Sequence, residues 1–202
     1  VLEKFRESAA GSEGRMEARI DSWNLPADGR RVNRTVIMGN VMATLKGADP
    51  DDHRIFLVTG HLDSRRTDVM DSTGIAPGTN DDGSGVATVI EMARIMSREK
   101  FPATIIFVAV SGEEQGLLGS DHLAEEAKQN NWEVEAMINN DMIGQSSSSG
   151  TGLHDNTKVR VFSEGVPLYE TPRMAALRKA LSGETDSRSR ELPRYIRETG
   201  EE

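Results

Sequence analysis

Three apolar runs, each closed by a loop of glycine and acidic residues, constrain this chain more than any other feature. The runs are Arg54–Thr59, Thr104–Val110 and Ala136–Ile143. Between them lie two stretches whose apolar residues recur at helical spacing. Val86, Val89, Ile90, Ala93 and Met96 make one face of a helix from about Ser84 to Ser97, and a second helix is expected from about Leu117 to Gln129. Strands apolar on both faces and alternating with helices predict a parallel sheet covered on both sides.

Flanking segments extend this frame. Thr35 to Leu45 is rich in β-formers, with Gly39-Asn40 a candidate bend or bulge, and the turn Gly47–Asp52 predicts that it pairs with Arg54–Thr59 as a hairpin. Leu2, Phe5, Met16, Ile20 and Trp23 predict an amphipathic helix over the first 23 residues, weakened by Gly11 and Gly14. Past the loop Ser146–Gly152, Val159–Phe162 is expected as a strand and Pro172–Leu181 as a helix, with Gly183 after its end. The resulting organisation is an N-terminal helical or linker segment, 1–34, and one α/β domain, 35–202. That domain is a three-layer α/β/α sandwich with a mixed, centrally parallel sheet.

Composition excludes several functions. A net charge of −9 opposes nucleic-acid binding, which needs a clustered basic face. Arg188, Arg190, Arg194 and Arg197 do gather, but glutamates interleave them and a solvated helix accounts for them. No run approaches the roughly 20 apolar residues of a membrane span. The absence of cysteine removes thiolate catalysis and structural thiolate zinc sites. Neither an initiator methionine nor a signal peptide opens the chain, and no apolar element closes it, so a domain unfinished at its C-terminus is expected.

In open α/β sheets ligands bind at the carboxyl ends of strands. The polar clusters of this chain fall there: Gly60-His61-Leu62-Asp63-Ser64, Asn80-Asp81-Asp82-Gly83, Ser111-Gly112-Glu113-Glu114-Gln115 and Asn139-Asn140-Asp141. Singly, each has an ordinary explanation. Asp81-Asp82-Gly83 suits a turn or helix cap, Glu113-Glu114 a solvated acidic pair, and His61 a polar residue after a strand. Asp141, at the end of an apolar strand, needs a partner. Together they crowd one rim with carboxylates, whose mutual repulsion divalent cations relieve. Two metals roughly 3.5–4 Å apart can share a water, make it acidic and polarise a carbonyl, and a carboxylate outside the ligand set can take the proton.

The motifs Thr59–Ser64, Ala76–Gly85, Ser111–Ser120 and Asn140-Asp141-Met142 resemble, in order and spacing, the M28 or bacterial leucyl aminopeptidase-type family of co-catalytic zinc peptidases. The match covers about Thr35 to Phe162. The resemblance implies the zinc-exopeptidase (phosphorylase/hydrolase-like) fold, two Zn²⁺ per complete domain, and a peptide substrate with a free N-terminus hydrolysed by a hydroxide held between the metals. It implies that His61 and Asp141 bind the first zinc, Asp81 bridges both, and Glu114 binds the second. Glu113 would be the general base, and the Asp63 carboxylate would orient His61. The Asp81–Asp82 peptide bond would be cis. A secreted or periplasmic address is likewise implied by the resemblance.

One departure stands out. The family's fifth ligand is a histidine on a later loop, whereas the only histidine after Asp141 is His154, too early for that position. The second metal site is expected to lack a ligand and the isolated chain to be weakly active or inactive. His53 precedes its strand, at the far end from the rim, and His122 is expected on a helix surface. The same motifs leave open a carboxypeptidase or dipeptidase of this fold, a glutaminyl-cyclase-like enzyme with one zinc, or a non-catalytic binding domain. A phosphate-binding Gly78–Gly85 loop ranks behind these, because no lysine follows its glycines and its aspartates would repel phosphate.

Overall fold

The computed structural model describes residues 1–147, 150–163, 170–181 and 188–201. They form two compact units, Val1–Asn156 and Thr157–Glu202. The first contains α1 (Leu2–Ala10), β1 (Met16–Leu25), β2 (Val36–Leu45), β3 (Arg54–His61), α2 (Gly83–Met96), β4 (Thr104–Val110), α3 (Leu118–Gln129) and β5 (Glu133–Asn139). The second contains α4 (Pro172–Leu181) and α5 (Arg188–Glu201), which has Pro193 inside it.

The strands make one mixed sheet in the order β1-β2-β4-β3-β5. β3 is parallel to both β4 and β5, and β2 is antiparallel to β4 and β1. The parity of β4 creates three layers. Ile105, Phe107 and Ala109 face a cluster with Val58, Val86, Val89, Ala93 and Phe5, so α1 and α2 cover that side. Ile106, Val108 and Val110 face the other way, with Met42, Leu57 and Leu123 of α3. From β3 the chain crosses to β4 over one face, then returns from β4 to β5 over the other. The carboxyl ends of β3 and β4 therefore flank the point where the winding reverses, the usual crevice of such sheets.

Two early expectations are corrected. Residues 1–23 do not form one helix: wholly buried Ser12 donates to the Ala9 carbonyl and accepts the Met16 N–H at 2.9 Å, turning α1 into β1. Met16, Ile20 and Trp23 imitate a helical stripe, but the ladder from Met16↔Leu45 to Leu25↔Val36 sets their conformation. Nor do β2 and β3 form a hairpin, because β4 lies between them and supplies each with a strand partner.

Other differences are smaller. The β1–β2 register runs unbroken through Gly39 and Asn40, so no bulge forms there. Asn40 is instead fully buried, donating to the Gly119 carbonyl at 2.8 Å and accepting the Ser111 N–H at 3.0 Å. β5 begins and ends earlier than expected, because its ladder with β3 closes at Thr59↔Asn139. Val159–Phe162 is not a strand; apolar residues become a strand only where a ladder completes their backbone hydrogen bonds, and Val159 and Phe162 are 75% and 85% exposed. Gly183 lies outside the described residues.

Candidate metal centre

The rim is assembled from four loops tied together by backbone hydrogen bonds. β3 ends in His61, whose side chain is 3% exposed. The N-terminus of α2 packs directly onto this end: a Cβ on Gly60 would lie 2.9 Å from the Gly85 carbonyl carbon and 3.0 Å from the Val86 nitrogen. Only a residue without a side chain allows that approach. Asp82 caps α2, with its Oδ1 accepting the Gly85 N–H at 3.0 Å. The same carboxylate accepts the His61 N–H at 2.8 Å and the Met142 N–H at 3.2 Å. One buried side chain thus joins the end of β3, the start of α2 and the loop after β5. Burial raises its pKa, against the opposing pull of those three donors.

Around this tie the expected metal-binding side chains divide. Ligand atoms of His61, Asp81 and Asp141 lie within 4.8 Å of one another. His61 Nε2 is 3.0 Å from Asp81 Oδ1. Its Nδ1 is 3.0 Å from the Asp63 carbonyl oxygen, which can only accept, so that hydrogen bond places a proton on Nδ1 and leaves Nε2 to face the carboxylates. Burial opposes a charged imidazole, but the Asp63 carbonyl and the charges of Asp82, Glu113 and Asp63 outweigh it and hold the pKa above the usual value. An oriented Nε2 beside two carboxylates, Asp81 half exposed and Asp141 exposed, is the donor set that zinc prefers. The residues fit the ion. The Asp81–Asp82 peptide bond is cis.

Glu114 stands apart from that group. Its Oε2 accepts from Arg65 Nε at 2.7 Å and its carbonyl from Arg31 Nη1 at 2.8 Å, while Oε1 takes no hydrogen bond from the described residues. Glu113 sits among His61, Glu114, Asp141 and Asp63. Burial raises its pKa, and the three carboxylates reinforce that effect against the opposing influence of His61.

Asp63 differs from expectation. Its carboxylate accepts the N–H groups of Glu113 and Glu114, both at 3.1 Å, and lies 4.0 Å from His61 Nδ1. The backbone carbonyl, not the carboxylate, orients the imidazole, because two amides of the β4 loop claim the side chain. Asp141 differs too: it follows β5 in an exposed loop and does not end the strand. His122 is no free surface residue. It stacks on Trp23 at 4.0 Å and lies 2.8 Å from Asp21, tying α3 to β1. His53 and His154 are exposed and outside the ligand group. Sequence reasoning took Asp82 for part of a turn or helix cap and Asn40 for part of a bend, and missed that each ties separate segments together. Their local signal, a polar residue beside a glycine, is shared by many turns.

Comparison with known proteins adds an independent line. The sequence profile of Peptidase family M28 matches residues 40–163. A probable zinc metalloprotease of Leptosphaeria maculans is 43% identical over 198 residues, 98% of this chain and 45% of the relative. One from Pyricularia oryzae is 45% identical over 201 residues, 99% of this chain and 39% of the relative. The chain therefore spans less than half the length of these curated relatives. Among solved structures, the LapA aminopeptidase of Legionella pneumophila aligns with a TM-score of 0.53 and 25% identity, covering 73% of this chain and 36% of that one. A glutaminyl cyclase of Porphyromonas gingivalis shares the fold, with a TM-score of 0.56 and 22% identity over 71% of this chain and 50% of its own. Profile, relatives and fold agree: this chain belongs to peptidase family M28.

Proposed function

We propose that this chain carries the zinc-binding and proton-transfer part of an aminopeptidase. The reading rests on the convergence of His61, Asp81 and Asp141 within 4.8 Å beside Glu113. His61, Asp81 and Asp141 would hold one zinc, and Asp81 and Glu114 would contribute to a second. Bound there, zinc supplies a Lewis acid that polarises the scissile carbonyl and makes a water acidic. Glu113 would take a proton from the attacking water on its carboxylate as the new C–O bond forms, and would then return it to the leaving amine as the peptide C–N bond breaks. Asp63 holds Glu113 in place through its backbone N–H. The exposed carboxylates favour a substrate with a cationic α-amine.

A one-zinc enzyme is the second reading, favoured by Arg65 on Glu114. Zinc calorimetry of the full-length protein separates the two, since one tight ion there supports the second reading and two support the first. The activity itself is tested on this chain and on its full-length protein, with aminoacyl anilides whose N-terminus is free or acetylated. Release from free substrates only, lost with chelator and reduced about 10²–10⁴-fold in Glu113→Gln, is expected. Equal release from blocked substrates sinks the aminopeptidase reading, and full turnover by the variant removes Glu113 as base. The isolated chain is expected to be the weaker of the two.

A further inference from the structure

A cavity of about 320 Å³ adjoins the candidate metal centre and has the opposite electrostatic character. Ser64, Arg65 and Gln115, chain neighbours of Asp63 and Glu114, line it together with Arg31. Two arginines facing one cavity in a chain of net charge −9 need an explanation. Solvation alone serves most surface arginines, but these two are pinned. Arg31 donates through Nη1 to the Glu114 carbonyl and Arg65 through Nε to the Glu114 carboxylate. Neither guanidinium makes any further hydrogen bond to the described residues, which leaves Nε and Nη2 of Arg31 and both Nη groups of Arg65.

The cavity also contains a carboxylate, Asp71, which does not cancel them. Asp71 Oδ1 accepts the N–H groups of Thr73 and Gly74 and the Thr73 hydroxyl, and Oδ2 pairs with Arg66 at 3.0 Å. Its charge is thus matched by a third arginine. Arg65 shares its charge with Glu114, while Arg31 has only a neutral carbonyl. Net positive charge remains, carried on planar donor groups suited to a carboxylate.

We propose that Arg31 and Arg65 form a carboxylate-binding subsite, placed to take the acidic group of a short peptide whose amine end lies at the metal centre. The identification of the ligand as a peptide rests on the aminopeptidase reading. The carboxylate comes either from the C-terminus of a di- or tripeptide or from an acidic side chain after the scissile bond. A subsite of this kind makes the enzyme selective for small zwitterionic or acidic peptides.

The test uses binding, in chelator and without turnover, so that it stands apart from catalysis. Three N-acetylated probes are titrated by NMR into the full chain: acetyl-alanyl-alanine, its C-terminal amide, and acetyl-alanyl-glutamyl-alaninamide. At least one acid is expected to bind about tenfold more tightly than the neutral amide, and which one does so identifies the source. Arg31→Gln and Arg65→Gln, each with an unchanged melting profile, are expected to abolish that preference. Acids that bind no better than the amide overturn the proposal, as does a preference that survives both variants. Failure of the peptidase reading looks different: the acid preference persists while zinc-loaded full-length protein releases nothing from free aminoacyl anilides.

Discussion

β4 and β5 are both apolar strands parallel to β3, yet they occupy opposite physical situations. β4 has a strand on each side and a helical layer on each face, and Ile105 to Val110 are all buried. β5 pairs only with β3, and Val134, Met137 and Ile138 are 42%, 44% and 36% exposed. The candidate site inherits the difference. Its inner half, His61 and Asp82, rests on the central strands and is buried, whereas Asp141 follows the edge strand and is exposed. A similar apolar pattern therefore yields a rigid platform in one place and a loosely framed ligand in the other.

Breaking the platform gives the largest effect. Phe107→Ala removes a fully buried ring between β4 and the helices α1 and α2, and is expected to cost about 3–5 kcal/mol in urea denaturation. Asp82→Ala comes next. Three backbone N–H groups lose their acceptor, those of His61 and Gly85 in a buried place and that of Met142 in a half-buried one, at a cost of about 3 kcal/mol. A variant as stable as the parent would mean that Asp82 does not join the loops.

Zinc affinity sharpens the comparison further. His61→Ala is expected to weaken zinc binding by more than about a hundredfold, because even residues that only orient ligands account for about 10–100-fold. Asp141→Ala is expected to weaken it less, since an exposed side chain beyond an edge strand is less firmly held before the ion arrives. Calorimetry at one pH measures both. Equal losses would show that the edge ligand is as well prepared as the buried one.

Legibility in the sequence followed the same division. β3, β4, α2 and α3 could be read because their apolar pattern is local and their burial agrees with it. β1 could not: Met16, Ile20 and Trp23 fit a helix by spacing, and only the distant strand β2 decides otherwise. The insertion of β4 between β2 and β3 was hidden for the same reason, since the sequential hairpin is the default. At the site, His61, Asp81, Glu113 and Asp141 were visible as polar residues at the end of a strand or in the loops that follow one. What each oxygen binds was not. Asp63 gives its carboxylate to two amides and its carbonyl to His61, and Glu114 meets Arg65. Such assignments depend on loops meeting in space.

The smallest effect tests the comparison with a single chemical change made twice. Val→Thr keeps the β-branched shape and the χ1 restriction that favours a strand, so local propensity is nearly constant. At Val108, 0% exposed between Leu57, Met42 and Leu123, the new hydroxyl enters an apolar cluster whose strand carbonyls already serve the ladders. About 1–3 kcal/mol should be lost. At Val134, 42% exposed, water reaches the hydroxyl and the change should stay within about 0.5 kcal/mol. Urea midpoints of the two variants against the parent decide it. A Val134 loss as large as that at Val108 would show that the outer strand is packed as tightly as the inner one, and the unequal ranking of His61 and Asp141 would lose its basis.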